Sequence, residues 1–195
     1  MVGAYFDSGH EIRSVLRTLF LSEYFRSERA RFARVKGPVE LVAGGIKMAG
    51  SYSKPTLGIE NVAKQAFYMG QGLFQPPSVE GWHEGAEWID SGALVERVNF
   101  VAGELANVGS PGVHRIIERL SQLNGGSLTP EELVDGCLDL AGPVPISESA
   151  RKALLEYAAR GGDLDLRDTR PGGEAEQRVG EILRLIASSR EYQLA

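Results

Sequence analysis

The sequence predicts an all-α fold, a single compact multi-helix domain over residues 1–195 with about seven or eight helices and one long Pro/Gly/Trp loop. Three observations carry this. Apolar residues recur at helical spacing along most of the chain, and the apolar/polar alternation of strands is almost absent. Helix starts are marked by caps and first-turn prolines at Ser8/Glu11, Gly37-Pro38, Ser110-Pro111, Thr129-Pro130 and Ser147. Connections are short, with no repeat and no shift in composition to separate two domains.

In chain order, Ser8 with Glu11 three residues on reads as a capping box for a helix with the stripe Ile12, Val15, Leu16, Leu19 and Phe20. A turn is expected around Tyr24 and Phe25. Pro38 sits where a missing N–H does no harm and opens a second helix through Val39, Val42 and Ile46 to Gly50. Its internal Gly44-Gly45 pair costs roughly 1 kcal/mol per glycine, which close approach of a neighbouring helix would offset. A third helix is expected from Ile59 to Phe74, burying Val62, Ala63, Ala66, Phe67, Gly70, Leu73 and Phe74. Asp90 or Ser91 caps a fourth (Leu94 to Leu105), and Ser110 starts a fifth that Gly125-Gly126 closes. The box Thr129/Glu132 starts a sixth helix, Ser147 a seventh, and Val179 to Ile186 mark the last. The Gly-, Asp- and Arg-rich stretch 161–173 is expected to be a mobile loop, with Leu164 and Leu166 as its available anchors.

At 195 residues the chain supports one real hydrophobic core, and 43% hydrophobic with 24% charged residues is ordinary for a water-soluble globular domain. The net charge of −5, without a basic tract, argues against a footprint for nucleic acid or anionic lipid. Apolar runs fall far short of a membrane span, so membrane insertion is not expected. Met1 to Asp7 lacks a charged region followed by an apolar run, which by itself reads as cytoplasmic. The single cysteine, Cys137, excludes an intramolecular disulfide, and its apolar neighbours Val134, Leu138 and Leu140 read as core.

The segment from Met69 to Asp90 holds both tryptophans of the chain, Trp82 and Trp88. Pro76-Pro77 pre-set extended backbone, and Gly81 and Gly85 allow angles that other residues resist. Two readings follow. In one, Trp82 and Trp88 plug the core and lock the loop against helices, with solvated carboxylates at the rim. In the other they present flat faces to a sugar or aromatic ligand, while Glu84, Glu87 and Asp90, spaced by three, bind hydroxyls or a hard cation. The first reading is the stronger. His83 with Glu84 and Glu87 is an incomplete metal set, and His10 and His114 are isolated, so no metal, cofactor or catalytic residue is assigned. Lys36 and Glu40, four apart, suit a helix-start pair; a buried Glu40 would find its bidentate partner in Arg97.

Three stretches resemble the bacterial domain-of-unknown-function 1800 family. They are Val35 to Glu40 ("V-K-G-P-V-E"), Met69 to Trp82 ("M-G-Q-G-L-F-Q-P-P-S-V-E-G-W") with Gly85, Trp88, Arg97 and Asn99 following, and Ala187 to Leu194 ("A-S-S-R-E-Y-Q-L"). Gly37 stands where serine is usual in the family and His83 where proline is usual. The resemblance marks Lys36, Pro38, Glu40, Gln71, Pro76, Pro77, Gly81, Arg97 and Asn99 as structural signature residues. It covers the C-terminal part of the family pattern and implies a longer parent protein, whose missing N-terminal portion would be one partner. Export signals in many members imply a cell-envelope or secreted parent. The expected function is a non-catalytic structural or interaction domain with a protein or glycan partner. Two alternatives stay open, a carbohydrate or polar-polymer module built on the Trp82/Trp88 loop, and part of a hydrolase whose catalytic residues lie upstream.

Overall fold

The computed structural model describes residues 1–167, 170 and 172–195. Among these residues there are ten α-helices, eight of them at least seven residues long. They are α1 (Val2–Asp7), α2 (Ile12–Phe20), α3 (Glu23–Arg26), α4 (Pro38–Ala49), α5 (Glu60–Tyr68), α6 (Ser91–Ala106), α7 (Pro111–Ser121), α8 (Pro130–Ala141), α9 (Glu148–Ala159) and α10 (Glu174–Ala187). Strands β1 (Ser127–Leu128) and β2 (Leu164–Asp165) form one two-residue antiparallel ladder. No helix among the described residues is long and apolar enough to cross a membrane.

Helices α6 and α10 form the most extensive packing contact; α4 packs against α6 and α5, while α8 and α9 pack against α10 and against each other. Leu105, Val113, Leu120, Val134, Val179, Leu183 and Ile186 are wholly excluded from solvent at this meeting point. Gly180 lets α10 approach the end of α6, since a Cβ there would sit 3.0 Å from the Ala106 carbonyl. Gly112 does the same for α7 and α4, because any side chain would overlap the Met48 and Ala49 backbone. Gly112→Ala should therefore destabilise the fold by about 1–3 kcal/mol, measured by urea unfolding, because a backbone obstacle cannot rotate aside. Cys137 lies in this core, where burial pushes its thiol pKa up to about 12, so it is no source of thiolate.

The caps of α4, α6, α8 and α9 fall where their residues indicate. Thr129 Oγ1 and Glu132 form the reciprocal box at α8, Ser147 accepts from Ala150 N, and Asp90 accepts from the amides of Gly92 and Ala93.

Four expectations are corrected. First, Ser8 does not open a helix; it closes α1, and the chain turns through left-handed Gly9 and His10 before Glu11 starts α2. Ser8 Oγ still accepts from Glu11 N at 3.1 Å, so the expected bond forms as a turn. Second, Tyr24 and Phe25 lie in the short helix α3, capped by Ser22. Third, the helix expected over Ile59 to Phe74 ends at Tyr68. Gly70 adopts φ +96°, and the bonds Gln71 N to Ala66 O and Gly70 N to Phe67 O close a left-handed terminator. Ala66 and Met69 are buried as a result, whereas Phe67, Leu73 and Phe74 face outward. Fourth, close helix approach explains Gly45, whose Cβ would meet Phe100 at 3.6 Å, but not Gly44, whose Cβ would meet nothing within 4 Å.

Of the stretch 161–173, Asp168, Thr169 and Pro171 lie outside the described residues. Leu164 and Leu166 are buried in the core, and Arg178 of α10 donates to the carbonyls of Gly162 (2.6 Å) and Ala158 (3.3 Å).

Candidate functional site

The three signature stretches, far apart in sequence, meet at one junction. The C-terminal tail runs antiparallel to the segment before α4. Lys36 N donates to Gln193 O at 2.9 Å, and Arg34 and Ala195 exchange backbone bonds. Beneath this short pairing lies Arg97 of α6, with no solvent exposure. Its Nε donates to Gln193 Oε1 at 2.9 Å and its Nη2 to the Lys36 carbonyl at 2.8 Å. Nη1 of Arg97 and Nε2 of Gln193 are buried without a hydrogen-bond partner among the described residues. Burial pulls the guanidinium pKa below its ordinary value, and the charge of nearby Glu40 opposes that pull.

Glu40 is not the partner of Arg97. It is exposed at the start of α4, where it binds Arg34 at 2.8 Å and accepts from Gly37 N at 3.3 Å. The predicted pairing fails because the Glu40 carboxylate reaches outward to its own N-cap and to Arg34. An amide and a carbonyl meet Arg97 instead. Lys36 does not bond Glu40 either: its ammonium donates to the Tyr192 carbonyl at 2.7 Å and lies 4.3 Å from the Tyr192 ring centroid. Burial lowers the Lys36 pKa, Glu40 raises it, and Arg97 lowers it further.

Gly37 has no side chain to cap α4, and Gln71 supplies the missing acceptor from 32 residues away in sequence. Its Oε1 accepts from Val39 N at 2.9 Å. Pro38 is buried at the first helical position. Gln71→Ala should cost about 1 kcal/mol in thermal or urea unfolding, the usual loss on removing an N-terminal cap.

The loop after Gln71 closes on itself. Trp82 is half-buried and its Nε1 donates to the Gly72 carbonyl at 3.0 Å. Trp88 is 6% exposed, with its ring against Gly70, where a Cβ would lie 3.8 Å away. Gly81 takes φ +103° and closes a turn onto Ser78, while Pro76 and Pro77 are exposed on the approach to it.

His83 and Glu87, 59% and 69% exposed, pair at 3.1 Å, and the His83 ring stands edge-on to Trp88. Glu84 is exposed at the start of the 3₁₀ turn Gly85–Trp88. Asp90 is spent on capping α6, so Glu84, Glu87 and Asp90 do not share one helical face. Among the described residues no three His, Cys, Asp or Glu side chains are grouped to hold a metal ion. Asn99 is exposed on α6.

Gln193 and Tyr192 are members of the junction to which the sequence assigns no role. One signal was available, a glutamine set between Tyr192 and Leu194 behind the apolar run of α10. The Gly72 carbonyl that receives Trp82 carries no signal at all.

A family model described as "Protein of unknown function (DUF1800)" matches residues 1–194, essentially the whole chain. No curated protein and no solved structure matches it. The chain belongs to the DUF1800 family.

Proposed function

We propose that this DUF1800 domain is a non-catalytic structural and interaction module, with its signature residues serving to clamp α4, α6, the Trp loop and the C-terminal tail into one frame. The observation that carries the reading is the buried Arg97, whose guanidinium bonds Gln193 and the Lys36 carbonyl inside the fold. Gln71 and Asp90 likewise spend their acceptors on helix N-termini. A double-mutant cycle of Arg97→Met and Gln193→Leu, read by urea unfolding, should give a coupling of at least about 1 kcal/mol. Additive effects, or a hydrolytic activity lost on Glu87→Gln without loss of stability, would sink the proposal. Residence in the bacterial cell envelope is carried by the family resemblance, and fractionation of the native host tests it.

A second reading, a module that binds carbohydrate or another polar polymer, draws on the half-buried Trp82 standing beside the exposed His83, Glu84 and Glu87. Trp82→Ala would then remove glycan binding and leave the unfolding midpoint nearly unchanged.

A further inference from the structure

A cleft of about 260 Å³ opens between α4, the α8–α9 connection and the C-terminal tail; Phe32, Lys36, Gly44, Met48 and Val144 are among its walls. It adjoins a second hollow of about 560 Å³ that shares Phe32, Pro143, Glu191 and Leu194 with it. Together they have the dimensions and the mostly apolar lining of small-molecule sites. Three independent features single out this cleft.

Gly44 sits in the middle of α4, exposed on the wall of the cleft, where glycine weakens a helix yet no neighbour requires it; a Cβ there would meet nothing within 4 Å. Phe32, on the wall common to both hollows, holds φ +51°, a left-handed conformation uncommon for a bulky residue. Lys36 brings a half-buried ammonium that has no carboxylate within ion-pair distance among the described residues. Glu40 is taken by Arg34, and Glu191 accepts from Ser147 N at 3.2 Å. Burial depresses the Lys36 pKa, the charge of Glu40 opposes that pull from beyond ion-pair distance, and Arg97 adds to it.

We infer that this cleft binds a small amphipathic carboxylate, with its anionic end on the Lys36 ammonium and its apolar body over Gly44, between Phe32, Met48 and Val144. The inference goes beyond the structural reading of the junction, in which the Lys36 carbonyl serves Arg97 and its ammonium the Tyr192 carbonyl, by giving that ammonium a second, anionic partner.

The test is a ¹H–¹⁵N NMR titration of the whole chain with octanoate and, separately, with its uncharged analogue octanamide. Octanoate should shift the amides of Gly44, Met48, Gly142 and Val144, and octanamide should bind at least about tenfold more weakly, since it lacks the charge-assisted bond. Gly44→Leu should abolish the octanoate shifts while the unfolding midpoint stays the same or rises, leucine being the better helix former. Lys36→Met should bring octanoate down to the affinity of octanamide. The inference is overturned by the absence of octanoate shifts at those amides, by equal binding of acid and amide, or by unimpaired binding to Gly44→Leu. Shifts confined to the exposed apolar residues of α1–α3 would overturn it as well. Because Gly44 takes no part in the Arg97 junction, the Arg97/Gln193 cycle fails or succeeds independently of these outcomes.

Discussion

Arg97→Ala should destabilise the domain by about 3–5 kcal/mol in urea unfolding, an effect as large as any single substitution in this chain is expected to have. Two contributions add. The arginine is completely enclosed, so its removal leaves a cavity in a packed interior. It also strips the buried Gln193 side-chain carbonyl and the partly buried Lys36 backbone carbonyl of their donors. The consequence is local as well as global. The tail strand paired with residues 34–36 loses its floor, so amide exchange should rise first at Lys36 and Ala195, whose amides form that pairing. Arg97→Met, which keeps most of the volume, should cost less than Arg97→Ala but more than an exposed arginine would. A loss under about 1 kcal/mol for Arg97→Ala would show that the junction does not hold the fold together.

Trp88→Ala should cost a similar 3–5 kcal/mol, and Trp82→Ala distinctly less. Trp88 is 6% exposed and closes over Gly70, the residue that ends α5 and turns the chain toward α4. Deleting the indole therefore removes buried apolar area and unsupports the turn from which Gln71 reaches Val39. Trp82 is half-buried and anchored by one hydrogen bond, so less is lost with it. Tryptophan emission makes the comparison direct, because both indoles lie in this loop. Trp82→Phe should leave a blue-shifted emission poorly quenched by acrylamide, whereas Trp88→Phe should leave a redder, more readily quenched one. Equal quenching in the two variants would contradict the burial difference on which the prediction rests.

How much was legible in advance depended on the distance over which each interaction acts. Thr129/Glu132, Ser147 and Asp90 announce their helices because a cap is satisfied within three residues of chain, where sequence neighbours are spatial neighbours. The apolar face from Ile59 to Phe74 was misleading because periodicity continues through Gly70, and only a left-handed glycine closed by the Ala66 and Phe67 carbonyls breaks it. Helix α1 had no cap in sequence to announce it, and no side chain caps it in the structure. The Trp loop was recognisable as the organising segment, but its composition did not say that Trp88 turns inward while His83 and Glu87 stay at the surface.

The candidate site follows the same division. That Lys36, Gln71 and Arg97 belong to signature stretches is visible from residue types and spacing. That Arg97 ignores Glu40 and binds Gln193 is not, because the choice depends on which way Glu40 turns at the start of α4 and where the tail returns. By itself the sequence determined the helical class, most helix starts, the core faces of α7, α8 and α10, and membership of a family, while in α4 it picked out Val42 but not the buried Leu41 and Ala49. These follow from local propensity, capping and hydrophobic period. Tertiary structure alone decided that Gln71 caps α4 from across the fold, that Arg97 is buried against an amide, and that Gly44 opens a cleft beside Lys36. Each of these rests on contacts between segments far apart in the chain, and a linear pattern does not encode which distant groups will meet.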